Sequence, residues 1–277
     1  MAAKYKLDDL LYLMQRLRDP ASGCPWDLAQ SYASIVPSTL EEAYEVTDTI
    51  ERGDLTHLEE ELGDLLFQVV FYARLGEEDG LFSFNSIVNS LTSKLLRRHP
   101  HVFASGNLYS ESGENATVSV MASDGVKKQW ESIKSQERAD KGKHGQLADV
   151  PLNFPSVTRA QKLQKRASQV GFDFGSIKLA MEKVHEELAE VEAEIALLEN
   201  TDCSIALGQE LGDLIFSVIN VCRLASFDAE TLLRSTNKKF EKRFSAMEQV
   251  IEGEGQALKN TSLQDMEAVW QQVKQLD

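Results

Sequence analysis

Apolar residues recur along this chain at helical spacing. Leu7, Leu10, Leu11, Met14 and Leu17 share one face and predict a helix that stops near Asp19-Pro20. After Pro37, Ser38-Thr39-Leu40-Glu41 has the spacing of a capping box and predicts a helix ending near Gly53. Thr56 and Glu59 predict the start of another, with Leu58, Leu62, Leu65, Leu66 and Val69 as its apolar stripe and Asp79-Gly80 as its end. A further helix is expected over about Phe84 to Arg98, closed by Pro100, and a short one over Val126 to Lys141 containing Trp130. Valine and isoleucine are scattered rather than alternating, so no strand is predicted.

Two stretches break the helical period. Residues 104–125 are rich in Ser, Gly, Asn and Glu and read as a flexible insert; residues 142–156, with Pro151 and Pro155, read as a linker. The second half then repeats the first. Gln15 and Trp26-Asp27 match Gln161 and Phe172-Asp173, each 146 positions on. Glu41-Glu42-x-x-Glu45 matches Glu186-Glu187-x-x-Glu190 at an offset of 145, and Glu61-Leu-Gly-Asp64 matches Glu210-Leu-Gly-Asp213 at 149. Lys94, Arg97 and Arg98 match Lys239, Lys242 and Arg243, again at 145, and Trp130 echoes Trp270 at 140. Matches in one order with small loop-length changes mark an internal duplication. The expected architecture is all-α, with helical domains over 1–141 and 157–277 joined by 142–156.

Charge narrows the function. Across 277 residues, 29 Lys and Arg stand against 44 Asp and Glu, a net charge of −15, which disfavours nucleic-acid partners. No stretch approaches the ~20 continuous apolar residues of a membrane span, and Met1 to Asp9 carries no apolar signal region. Cys24, Cys203 and Cys222 are too widely spaced to form a metal or disulfide framework. A soluble cytoplasmic protein is expected.

The acids are not spread evenly. Glu42, Glu45 and Thr49 fall within roughly 60° of one another on one helix face, and Glu61, Asp64 and Gln68 do the same on the next. An antiparallel pair would bring four carboxylates together, and Glu187, Glu190, Glu210 and Asp213 would do so in the second copy. Such a cluster repels itself unless a cation neutralises it, and oxygen ligands suit Mg²⁺ or Mn²⁺ better than zinc. Glu-rich faces are ordinarily just solvated, but these acids recur as a set in both copies. Gly63 and Gly212, unfavourable inside helices, suggest close approach of something to the backbone. The two basic triplets, at helical spacing, suit polyphosphate oxygens, and Trp26, Phe172 or Trp270 could stack a base. No P-loop, His-Glu-x-x-His or Glu-x-x-His motif is present.

Glu-Glu-x-x-Glu followed on the next helix by Glu-x-x-Asp resembles the MazG family of all-α nucleoside triphosphate pyrophosphohydrolases. Further segments carry the resemblance: Met14-Gln15-Arg16-Leu17-Arg18-Asp19-Pro20, Gly23-Cys24-Pro25-Trp26-Asp27, Arg97-Arg98-His99-Pro100-His101-Val102-Phe103, Lys239-Phe240-Glu241-Lys242-Arg243-Phe244 and Val269-Trp270-Gln271-Gln272-Val273-Lys274. It implies tandem helical bundles, a homodimer, and Mg²⁺-dependent hydrolysis of (deoxy)nucleoside triphosphates to monophosphate and pyrophosphate with broad base tolerance. By the same resemblance, Glu187, Glu190, Glu210 and Asp213 would hold metal, as would Glu42, Glu45, Glu61 and Asp64. Lys183, Glu187, Gln209, Lys239, Lys242, Arg243 and Trp270 would bind nucleotide, with Lys94, Arg97 and Arg98 in the first copy. Glu186 is a candidate outer base, and Lys239 and Arg243 would neutralise the leaving group. The second copy is expected to be the main catalyst because Pro100 truncates the basic helix of the first. Gln209, where the first copy has Glu60, weighs against that. The alternatives are a non-enzymatic nucleotide or metal sensor and an acidic helical scaffold.

Overall fold

The computed structural model describes residues 4–103, 105–109, 123–140, 145–198 and 204–275. Every regular element among them is helical, and the chain divides into two compact units, Met1–Lys134 and Ser135–Asp277. The first unit contains α1 (Leu7–Leu17), α2 (Pro25–Leu28), α3 (Tyr32–Glu51), α4 (Leu58–Glu78) and α5 (Phe84–Arg98). α6 (Ser123–Asp140) crosses the division between the units. The second unit contains α7 (Ser156–Ser168), α8 (Ile177–Ala196), α9 (Ile205–Leu224), α10 (Ala229–Gly253), a 3₁₀ turn at Leu258–Asn260 and α11 (Leu263–Lys274).

Several helix starts differ from expectation. α3 begins six residues before Ser38, at Tyr32, and runs through Pro37. Its true cap is Ser31, whose hydroxyl accepts from the Ser34 amide while Ser34 Oγ accepts from the Ser31 amide. Proline removes one backbone bond, but buried Ile35 and partly buried Tyr32 anchor that first turn in the core. α4 starts at Leu58 with His57 at its cap, so Thr56 does not cap it. α6 starts at Ser123, so the last residues of the expected insert are helical; residues 104 and 110–122 lie outside the described residues. Of the expected linker, 142–144 lie outside them as well, and 145–155 are turns and irregular backbone. The ends of α3 and α4 fall where expected, at Gly53 and Gly80, both with positive φ.

The copies keep the same framework. α3 and α8 begin 145 residues apart behind serine caps, Ser31 and Ser176, and α5 and α10 begin 145 apart as well. α3 packs on α4, and α8 on α9. In the first unit Met14, Ile35, Val70, Phe71 and Phe84 form a buried core. Arg18, buried, ties the 19–30 segment to α4: its guanidinium donates to both Glu78 carboxylate oxygens (2.7–3.1 Å) and to the Asp27 carbonyl, and lies over the Phe71 ring. Gly23 sits so close to the Leu17 and Asp19 backbone that no Cβ fits there. The second unit's buried clusters are smaller: Ala160, Ile219 and Ala229, and separately Met247, Ile251 and Val273.

α9 comes nearest to an apolar stretch of membrane-spanning length. Among the described residues it is the one helix long and apolar enough to cross a membrane by length and composition, and only 11% of that stretch is buried. Glu210 and Asp213 interrupt its apolar surface, which is why no continuous run stood out in the sequence.

Candidate functional site

Each helical hairpin brings carboxylates from two helices together. In the first unit, Glu42 and Glu45 of α3 and Glu61 of α4 offer oxygens all within 4.8 Å of one another. In the second, Glu187 and Glu190 of α8 and Glu210 of α9 do the same within the same limit. The three-residue spacing stacks one pair on a single helix face, and the antiparallel neighbour supplies the third group from its first turns. Asp64 and Asp213 are exposed and stand outside these three-residue sets, although the Asp64 charge reaches Glu42 and Glu61.

The carboxyls strain against one another electrostatically. Partial burial, then the charges of Asp64 and Glu45, push the Glu42 pKa above its usual value. Desolvation followed by Glu45 and Asp64 does the same to Glu61. In the second unit a hydrogen bond shared with Glu187 raises Glu190 most, followed by desolvation and the Glu187 charge. Like charges at this range favour holding a proton or a cation.

The two sets are neutralised differently. Lys183, on the same face of α8, donates to Glu187 at 2.6 Å and to exposed Glu186 at 2.8 Å. Those bonds hold its ammonium well above the usual lysine range. Its counterpart 145 positions earlier is Ser38, and the first set is met instead by Gln68 Nε2, which donates to Glu42 at 3.3 Å. Thr49 is fully buried and its hydroxyl donates to the Glu45 carbonyl at 2.7 Å, so it braces α3 rather than facing the acids.

The remaining expected residues lie on neighbouring elements. Lys94, Arg97 and Arg98 occupy the last turns of α5, which packs on α4. Lys239, Lys242 and Arg243 lie in the middle of α10, which packs on α7, α9 and α11. α10 runs 25 residues against 15 for α5, so the basic stretch continues in helix only in the second unit. Trp270 of α11 is partly buried against Met247, Ile251 and Val273, with its ring 5.4 Å from Phe240. Gln209 is exposed at the start of α9, and Trp26 and Phe172 are exposed on their turns.

One expectation about glycine does not hold within this chain. A Cβ at Gly63 or Gly212 would meet nothing within 4 Å, so none of the described residues approaches either backbone closely. Both sit on outward surfaces of α4 and α9. Sequence reasoning also passed over the Ser31 and Ser176 caps, although their 145-residue separation equals that of the acids.

Comparison with known proteins agrees with this arrangement. The MazG nucleotide pyrophosphohydrolase domain matches residues 30–103 and 176–247, the segments that hold the two carboxylate sets. A nucleoside triphosphate pyrophosphohydrolase of Escherichia coli (strain K12) is 46% identical over 271 residues, 97% of this chain and 97% of its own length. A nucleoside triphosphate pyrophosphohydrolase/pyrophosphatase MazG of Thermotoga maritima is 36% identical over 267 residues, 96% of this chain and 95% of its own. One from Mycolicibacterium smegmatis is 36% identical over 168 residues, 60% of this chain and 47% of its own. With both carboxylate-bearing segments matched and near full-length relatives on either side, the chain belongs to the MazG nucleotide pyrophosphohydrolase family.

Proposed function

We propose that this chain hydrolyses nucleoside and deoxynucleoside triphosphates to monophosphate and pyrophosphate with Mg²⁺, chiefly in its second copy, as a cytoplasmic guard of the nucleotide pool. The observation that carries this is the Glu187, Glu190 and Glu210 set, with oxygens within 4.8 Å and Lys183 bonded at its edge. The full-length relatives that bear the activity in their names support the reaction class.

The donor set fits a hard divalent ion: it is all oxygen, contributed by two helices, and Glu187 and Glu210 help to raise the pKa of Glu190. Glu187, Glu190 and Glu210, with Asp213 beside them, would hold Mg²⁺ or Mn²⁺, and Glu42, Glu45, Glu61 and Asp64 would hold it in the first copy. When bound, the ion supplies charge neutralisation on the phosphates and activation of a water. Lys183 keeps Glu186 and Glu187 in place and presents positive charge to the incoming polyphosphate. Glu186 accepts the proton of the attacking water as outer base. The P–O bond between the α-phosphorus and the bridging oxygen breaks, and Lys239 and Arg243, with Lys242, neutralise the charge gathered on departing pyrophosphate. Gln209 and Trp270 flank the nucleoside.

We take residues 1–141 and 157–277 as the two copies, joined by 142–156, and a homodimer as the working form. Leu62, Leu66 and Val69 on α4, and Leu211, Ile215 and Val218 on α9, are exposed, so both hairpins present apolar surface to a partner. A second copy packing there would supply the close approach at Gly63 and Gly212.

Product analysis tests the proposal: wild type, Glu45→Ala and Glu190→Ala are each assayed with a panel of ribo- and deoxyribonucleoside triphosphates. Monophosphate with pyrophosphate, abolished only by Glu190→Ala, is expected. Loss only in Glu45→Ala would move catalysis to the first copy, and orthophosphate with diphosphate would overturn the reaction class.

A further inference from the structure

The turn between α3 and α4 carries a pair that the second copy lacks. Asp54 Oδ2 stands 2.7 Å from His57 Nδ1. An ionised carboxylate only accepts, so Nδ1 carries the proton and the neutral imidazole keeps its lone pair on Nε2. The same bond holds the Asp54 carboxyl below its usual range. At the 149-residue offset, His57 corresponds to Ala206 and Asp54 to Cys203.

His57 occupies the N-cap of α4, a position that favours Ser, Thr, Asp or Asn, yet its side chain makes no capping hydrogen bond. In the second copy α9 is capped by Ser204, whose hydroxyl accepts from the Leu207 amide. The first copy thus gives up a cap and gains an imidazole held by a carboxylate.

Backbone geometry aligns that imidazole with the carboxylate set. At His57 φ and ψ are helical, −86° and −12°, and the Glu61 amide donates to the His57 carbonyl at 3.2 Å. The two side chains are one turn apart on one face, at the i,i+4 spacing by which a helix offers two ligands to one ion. The charge of His57 is felt at Glu61, where it opposes the rise in pKa caused by burial, Glu45 and Asp64. The His57 nitrogens stand outside the three-carboxylate set, but the side chain is 62% exposed, so turning Nε2 toward an ion on Glu61 displaces only water.

The copies therefore differ in what surrounds the same three acids. The second set carries Lys183 bonded to Glu187, a resident cation that competes with a metal. The first has Ser38 in that place and the oriented imidazole one turn from Glu61. An all-oxygen set suits Mg²⁺, whereas an added imidazole with a carboxylate behind it shifts preference toward borderline ions such as Zn²⁺ or Co²⁺.

We propose that His57 Nε2 joins Glu42, Glu45 and Glu61 as a ligand, with Asp54 as its orienting partner, so that the first copy selects a borderline transition-metal ion while the second keeps Mg²⁺. This rests on the reading that both carboxylate sets hold metal, and goes beyond it in giving the two copies different ions.

The test is calorimetric titration of the full chain with Zn²⁺ in excess Mg²⁺, on wild type, His57→Asn, Asp54→Asn and Glu190→Gln, with histidine-selective NMR alongside. Asn is a favourable N-cap, so His57→Asn keeps α4, and circular dichroism checks this. Expected is one Zn²⁺ per chain that Mg²⁺ does not displace, weakened at least about tenfold by His57→Asn and by Asp54→Asn and kept by Glu190→Gln. The histidine signal absent from His57→Asn should be the one that Zn²⁺ shifts in wild type, and Mg²⁺ affinity should stay at the wild-type level in that variant. Zn²⁺ binding that is indifferent to His57→Asn, or lost in Glu190→Gln, overturns the proposal, as does a His57 signal that Zn²⁺ leaves in place. Failure of Mg²⁺ and Zn²⁺ alike to bind would overturn the metal reading with it, whereas Mg²⁺ binding with Zn²⁺ indifferent to His57 overturns the selectivity of the first copy alone.

Discussion

Glu42, Glu61 and Glu190 sit in sets of three carboxylates whose oxygens meet within 4.8 Å and hold protons more tightly than isolated carboxyls, and the competition between proton and metal follows from that. Glu42, Glu61 and Glu190 all have raised pKa values, so the folded chain keeps protons just above the ordinary carboxylate range that the unfolded chain would release. The sign is then fixed. Without metal these groups make the fold less stable as pH climbs through that window, and a divalent ion reverses the loss. Mn²⁺ affinity, followed by calorimetry, should rise as pH climbs above the ordinary carboxylate range, and the increase in melting temperature on adding Mg²⁺ should grow in the same direction. A flat profile would mean the carboxyls act independently. Lys183 should make the effect smaller in the second set, because its charge already lowers Glu190 against its neighbours.

At the scale of elements, the hairpins position the site and the flanking segments hold the hairpins. In the first unit that brace is Arg18, 6% exposed, bonded to Glu78 on α4. Burial opposes ionisation of Glu78, but hydrogen bonds and charge from Arg18 and Arg74 outweigh it and bring its pKa below the usual value. Its stabilising contribution is therefore present above the ordinary carboxylate range and is lost as pH falls through the lowered value. Glu78→Gln would leave the buried guanidinium without its counter-charge and should cost roughly 3 kcal/mol in urea unfolding at neutral pH. The difference from wild type should shrink in acid; a cost under about 0.5 kcal/mol would mean that the Asp27 carbonyl suffices for Arg18. In the second unit the corresponding positions hold Gln164 and the Arg223–Asp173 pair, a looser arrangement that leaves a cavity.

At the scale of the molecule, the apolar surface of α9 needs a covering. Its length and composition alone would pass for a membrane span, but Glu210 belongs to a charged cluster shared with α8. In the proposed homodimer a second copy would cover the exposed apolar face of each hairpin. Ile215→Asp and Leu66→Asp together should convert a dimer to a monomer in sedimentation velocity, with far-ultraviolet circular dichroism showing the helices retained. Persistence of the dimer would locate its interface elsewhere.

Much of this protein was legible in the order of its residues. Helical period, the stops at Gly53 and Gly80, the duplication and the acid spacing all depend on contacts within a few positions, so sequence determines them directly. The start of α3 was not legible, because Pro37 argues locally for a boundary that core packing of Tyr32 and Ile35 overrides. Nor does spacing along one helix bring acids of two helices together: the fold places the oxygens of Glu42, Glu45 and Glu61, and of Glu187, Glu190 and Glu210, within 4.8 Å of one another. The Lys183–Glu187 pair follows from i,i+4 spacing on α8, whereas the burial of Arg18 against Glu78 and the cavity beside Gln164 arise between helices far apart in sequence. Tertiary structure decided those, because side-chain partners across a packed interface depend on where neighbouring helices stand, and periodicity along one helix carries no such information.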